Sequence, residues 1–228
     1  MDNRNGSHGD KLVKTAYEAC TDTELTRIVS QYRDNRDKEV MIILLSWLQN
    51  GTRHDNYAMH KICALVGDSP YQHVLSSEYG DVPSLHSFSA SLTYGNLFEI
   101  MAHLRLCYEN GGFETMFREF ASREKFGHGV LAYLLSDGTK LPLKSYGAFY
   151  RYNLMLYLLT YKFAIWRDDY AYKTLLPCND RIFDRAASLG ITPKRLNTSL
   201  NSAITLTNIA RERFGEDFYK MYELLAYG

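Results

Sequence analysis

Leu176-Pro-Cys-Asn-Asp-Arg-Ile-Phe-Asp-Arg-Ala-Ala-Ser-Leu-Gly190 decides how this chain is read. An apolar lead-in runs into Asn179 and Asp180, two residue types that favour the start of a helix. Ile182, Phe183 and Ala186 then recur at helical spacing, and Gly190 supplies a stop. The stretch is entered from a helix predicted at about 145–161. Leu154, Met155, Leu156, Leu158 and Leu159 make that helix apolar around most of its circumference. Such a helix must be covered on all sides, so it is expected near the centre of the fold.

The same helical punctuation runs outward in both directions. Thr21-x-x-Glu24 has the form of a capping box for a helix reaching about Tyr32. Asp37 is expected to cap the next helix, where Val40, Ile43, Leu44, Trp47 and Leu48 form one buried stripe before Gly51. Ser69-Pro70 and Thr192-Pro193 have the form of a cap followed by a first-turn proline. Gly111-Gly112 closes a helix from about Asn96. Further helices are predicted near 113–121, 128–136, 181–189, 197–213 and 216–226. No stretch alternates apolar and polar residues with β-branched enrichment, so strand content should be negligible. The fold class is all-α: a globule of about ten short helices. A tail at 1–15 precedes one domain at 16–228, with lobes at 37–140 and 141–228 around a cleft.

Composition narrows the function. The 228 residues are 46% hydrophobic and 14% aromatic, enough for a sizeable core. Lysine plus arginine and aspartate plus glutamate are 26 each, so the chain lacks the overall basic excess of a nucleic-acid coat. Cys20, Cys63, Cys107 and Cys178 form no Cys-x-x-Cys pair. The seven histidines show no metal-ligand spacing, so neither metal nor cofactor is expected. The thiols read as free and the chain as cytoplasmic. No apolar run approaches the ~20 residues that span a membrane.

Two features point to nucleic acid. From Lys140 to Arg185 eight cations face four anions in a chain that sums to zero. The same region carries Tyr146, Tyr150, Tyr152, Tyr157, Tyr161 and Trp166, whose faces suit base stacking. The competing readings are a solvated helix face and aromatic core packing. Helix N-termini near Asp180 and Thr192 would add N–H groups for phosphate, with Lys194 and Arg195 beside the second. A carboxylate at Asp180 would serve as an acid/base or stabilise charge at a sugar, while Asn179 would orient a water. The competing reading for both is a helix cap.

Arg151-Tyr-Asn153, Phe163-Ala-Ile-Trp166 and Pro177 to Gly190 resemble the bacterial family called domain of unknown function 2400, itself similar to the helix-hairpin-helix DNA glycosylases. Glu39 to Arg53 resembles that family's first core helix with its Gly-x-Arg end, and Asp217 to Gly228 its closing segment. The matched segments keep their order over most of the chain. Asn179 stands where the family has an acid, Asp180 where it has threonine and Arg181 where it has histidine. The resemblance implies a glycosylase-like fold and a DNA partner whose damaged or modified base is recognised or processed. Its cleft would join Arg53, the 140–153 segment and the 177–185 turn. Phosphate would be held by Arg53, Lys144, Arg151, Arg181, Arg185 and Lys194, with Tyr150 or Tyr152 stacking. The alternative is a catalytically inactive interaction protein on the same fold.

Overall fold

The computed structural model describes residues 23–49, 56–77, 87–89, 92–115, 117–118, 148–166 and 174–227. The fold is all-α. In order come α1 (Glu24–Val29), α2 (Asn35–Ser46), α3 (Asn56–Val66), α4 (Pro70–Ser76), α5 (Tyr94–Glu109), α6 (Tyr150–Tyr157), α7 (Asp180–Ser188), α8 (Leu200–Phe214) and α9 (Tyr219–Tyr227). Strand is confined, among the described residues, to one short antiparallel pair, Ser87–Ser89 with Leu92–Thr93.

Helix α2 is the hub. Val40, Met41, Ile42, Ile43, Leu44 and Leu45 are all buried, so the helix is covered on every side and not only along the predicted stripe. It packs against α1, α3, α4, α5 and α6. Each such aliphatic side chain contributes about 1.5–3 kcal/mol on burial. Helix α6 is central as well, with Tyr152 through Tyr157 buried. It does not stay α-helical to residue 161: Leu158–Lys162 widen into a π turn. Ala164 follows at φ 46°, a left-handed value that an L side chain rarely adopts. The last helix, α9, meets α6 through tyrosines. Tyr157 meets the rings of Tyr219 and Tyr222 edge-on at 5.1 and 4.8 Å, and its hydroxyl donates to Glu223 at 2.8 Å.

Several caps differ from the sequence expectation. The cap of α1 is Thr23, whose hydroxyl accepts from the Thr26 N–H at 3.3 Å, and α1 ends at Val29. Thr21 and Gly51 lie outside the described residues, as does the helix expected near 128–136. Asp34, not Asp37, caps α2, accepting from the Arg36 N–H at 2.7 Å. Asp37 instead reaches across to α4 and accepts from the Tyr71 N–H at 2.9 Å. That bond does what the Ser69 hydroxyl was expected to do; Ser69 makes no side-chain cap. Thr192-Pro193 starts no helix. Thr192 is buried, and the chain stays irregular until Ser199, whose hydroxyl accepts from the Ser202 N–H at 3.2 Å and starts α8.

Candidate functional site

The turn into α7 is built by Asn179. Its backbone is extended and its side-chain oxygen accepts from the Ile182 N–H at 3.0 Å, so its amide is committed to capping. Asn179 also lines a small pocket with Gln49, Tyr150, Arg181, Tyr222 and Tyr227. The open volume is about 50 Å³, room for a few waters and not for a nucleobase. Tyr150 and Tyr222 are linked through their hydroxyls, and burial raises both phenols above their ordinary range.

Asp180 points away from this pocket. Its carboxylate pairs with Arg195 at 2.6 Å and accepts from the Thr198 hydroxyl, on an exposed surface. Those two partners, the Thr198 hydroxyl first, hold its acid strength above the ordinary carboxylate. A carboxylate stabilised in its ionised form is a weak proton acceptor. Arg195 also bridges to Asp184, so it is engaged by two acids of α7.

The cations divide into two groups. Arg151 is turned inward: its Nε donates to the Gln49 carbonyl oxygen at 2.9 Å, and burial lowers its basicity. Two residues on, Asn153 is buried and donates through Nδ2 to the Ala148 carbonyl oxygen at 3.0 Å. The Arg-x-Asn pair therefore fixes the entry of α6 beside the end of α2. Arg185 is half-buried, and its Nε has no hydrogen-bond partner among the described residues. Arg181 and Lys194 are exposed, and neither forms an ion pair among the described residues. Tyr152, expected as a stacking face, is 3% exposed within the core. It cannot meet a base without opening α6. Arg53 and Lys144 lie outside the described residues.

A second site was not anticipated. Glu39 of α2 is 6% exposed. One carboxylate oxygen accepts from Trp166 Nε1 at 2.6 Å and the other from the Tyr108 hydroxyl at 2.8 Å. Burial raises its proton affinity above that of an ordinary glutamate. It lines a pocket of about 360 Å³ with Arg36, Tyr71, Tyr108, Glu114 and Trp166. The sequence held one signal for it. Glu39 sits four residues before Ile43, in phase with the apolar stripe.

Among the described residues no group of three histidines, cysteines or acids is placed to hold a metal, and no helix is long and apolar enough to cross a membrane. Cys63, Cys107 and Cys178 are free thiols, the last two buried. Comparison with protein-family models, curated proteins and solved structures finds no match.

Proposed function

We propose that this chain is a glycosylase-like DNA-binding protein that contacts the phosphate backbone at the Asn179 turn and does not itself excise a base. The observation that carries this reading is Arg181. It projects from the first turn of α7, exposed and without an ion pair among the described residues, beside the small pocket lined by Tyr150, Tyr222 and Tyr227. Helix N-termini attract phosphate through free N–H groups and the helix dipole. Lys194 adds a second exposed cation in the segment that follows α7. The absence of excision is argued from chemistry. An N-glycosidic bond breaks with positive charge developing on the sugar, which a carboxylate stabilises and a neutral amide does poorly. Here the amide of Asn179 occupies the turn, and the adjoining carboxylate, Asp180, is paired with Arg195.

Fluorescence anisotropy with single- and double-stranded oligonucleotides over a salt series tests the reading. Binding should weaken with salt, and Arg181→Ala should lower the slope of log K against log salt by about 0.7–0.9. Unchanged affinity and slope in that variant would favour a protein that kept the fold for protein contacts.

A further inference from the structure

Beyond DNA contact, we infer that the pocket at Glu39 is a binding site for a small organic cation, an ammonium or guanidinium group. The first observation is a charge balance. Glu39 is 6% exposed, and both its oxygens are fixed by neutral donors, Trp166 Nε1 at 2.6 Å and the Tyr108 hydroxyl at 2.8 Å. Among the described residues it forms no salt bridge. Each carboxylate oxygen has two acceptor sites and these bonds use one of each, so two remain. Its hydrogen bonds come from neutral groups alone and the Arg36 charge reaches it only from a distance, so a cation seated against the free acceptor sites would stabilise it further.

The second observation is the shape and lining of the space in front of it. The pocket holds about 360 Å³, within the range of small-molecule sites. Tyr71, Tyr108 and Trp166 supply aromatic walls, and Glu114 supplies a second acid. Tyr71 and Tyr108 meet edge to face, centroids 4.8 Å apart at 88°. Aromatic rings beside a carboxylate are the residue types that recognise alkylammonium and guanidinium groups.

The third observation is that this wall already holds one such group. The Arg36 guanidinium lies over the Tyr71 ring at 5.1 Å and donates to the Tyr71 hydroxyl at 3.1 Å. Arg36 is exposed at the rim and forms no ion pair with Glu39 among the described residues; its charge is the smallest of the influences on that carboxylate. Glu114 is already partly answered, its Oε1 lying 3.5 Å from Arg118 Nη2. Glu39 is therefore the group on which a ligand cation gains most, and Arg36 is a repulsive neighbour that limits affinity.

Titration calorimetry of the full chain with agmatine, which carries a guanidinium and an ammonium, tests this site; glutarate is the anionic control. Agmatine should bind saturably with one site per chain, and glutarate should not bind. Glu39→Gln, which keeps the side-chain shape and an acceptor for Trp166, should weaken agmatine at least on the order of ten-fold. Arg36→Gln should strengthen it by roughly five-fold, because a like charge at the rim is removed. Should Glu39→Gln not fold, Tyr71→Leu tests the aromatic wall away from the buried carboxylate, and weaker binding is expected. Absence of saturable agmatine binding at millimolar concentration would overturn the proposal. So would glutarate binding that disappears in Arg36→Gln, since the pocket would then be an anion site held by Arg36. Unchanged agmatine affinity in both Glu39→Gln and Tyr71→Leu would place the binding elsewhere and overturn it equally.

Discussion

Arg151 Nε donates to the carbonyl oxygen of Gln49 at 2.9 Å, joining α6 to the chain just beyond α2 across 102 residues of sequence. An arginine in a cation-rich segment would ordinarily be assigned to phosphate. Here its planar fork satisfies a buried carbonyl where α2 has run out of partners of its own.

Replacing Arg151 therefore tests structure before binding. Arg151→Ala should lower stability by about 1.5–3 kcal/mol, the range for hydrogen bonds to charged groups. The salt slope of DNA binding, measured on the fraction that remains folded, should not change. Urea denaturation gives the first quantity and anisotropy the second. A slope reduced as far as in Arg181→Ala would return Arg151 to the phosphate contacts.

Asn179 and Asp180 have separable consequences. Asn179→Ala removes the cap of α7 and should cost about 1 kcal/mol, whereas Asn179→Asp retains a capping oxygen and should cost little. Asp180→Asn gives up an exposed pair with Arg195, and exposed pairs contribute little. Base release from damaged and modified duplexes should be absent in the wild type and in Asp180→Asn. Gain of release in Asn179→Asp would identify a glycosylase site silenced by one amide. Release by the wild type that is lost in Asp180→Asn would overturn the binding-only reading.

Ala164 offers a backbone test. It is exposed and held at φ 46° directly after the π turn. A left-handed conformation costs an L residue roughly 1–2 kcal/mol, which glycine largely avoids. Glycine also adds entropy to the unfolded chain. The strain should win, and Ala164→Gly should raise the urea midpoint. A lowered midpoint would mean that the unfolded-state term dominates at this position.

Glu39 and His103 should pull stability in opposite directions with pH. Burial raises the Glu39 carboxyl above the ordinary value; Glu114 adds to this, while Tyr108, Trp166 and Arg36 oppose it. A raised folded value stabilises the fold in full below the unfolded glutamate value near ~4.3 and less as pH climbs through the folded one. The advantage of wild type over Glu39→Gln should therefore shrink as pH rises from that range. His103 is lowered by burial, and its Nε2 has no hydrogen-bond partner among the described residues. A depressed value gives stability that is present above the unfolded histidine value near ~6.5 and is lost as pH falls through the folded one. His103→Gln should flatten that acid limb. Urea midpoints of the three proteins across the pH series decide both claims, and parallel curves would refute them.

What the sequence determined by itself was the helical class and most of the helix positions. Local rules suffice for these: apolar spacing along Val40 to Leu48, the glycines at 111, 112 and 190, and the Asn-Asp start of α7 each act within a few residues. The cap reading for Asn179 was also legible, because a cap bond spans three residues. Tertiary structure decided what the side chains are used for. Arg151 read as a phosphate contact and Tyr152 as either a stacking face or core, and only the packing of α6 against α2 turned one toward Gln49 and buried the other. Asp37 looked like the cap of its own helix until α4 presented the Tyr71 N–H to it. Glu39 gained its partners from Tyr108 and from Trp166, the second 127 positions away. A hydrogen bond across such separations depends on where two helices cross, and that is set by the whole core, so no local pattern in the sequence encodes it.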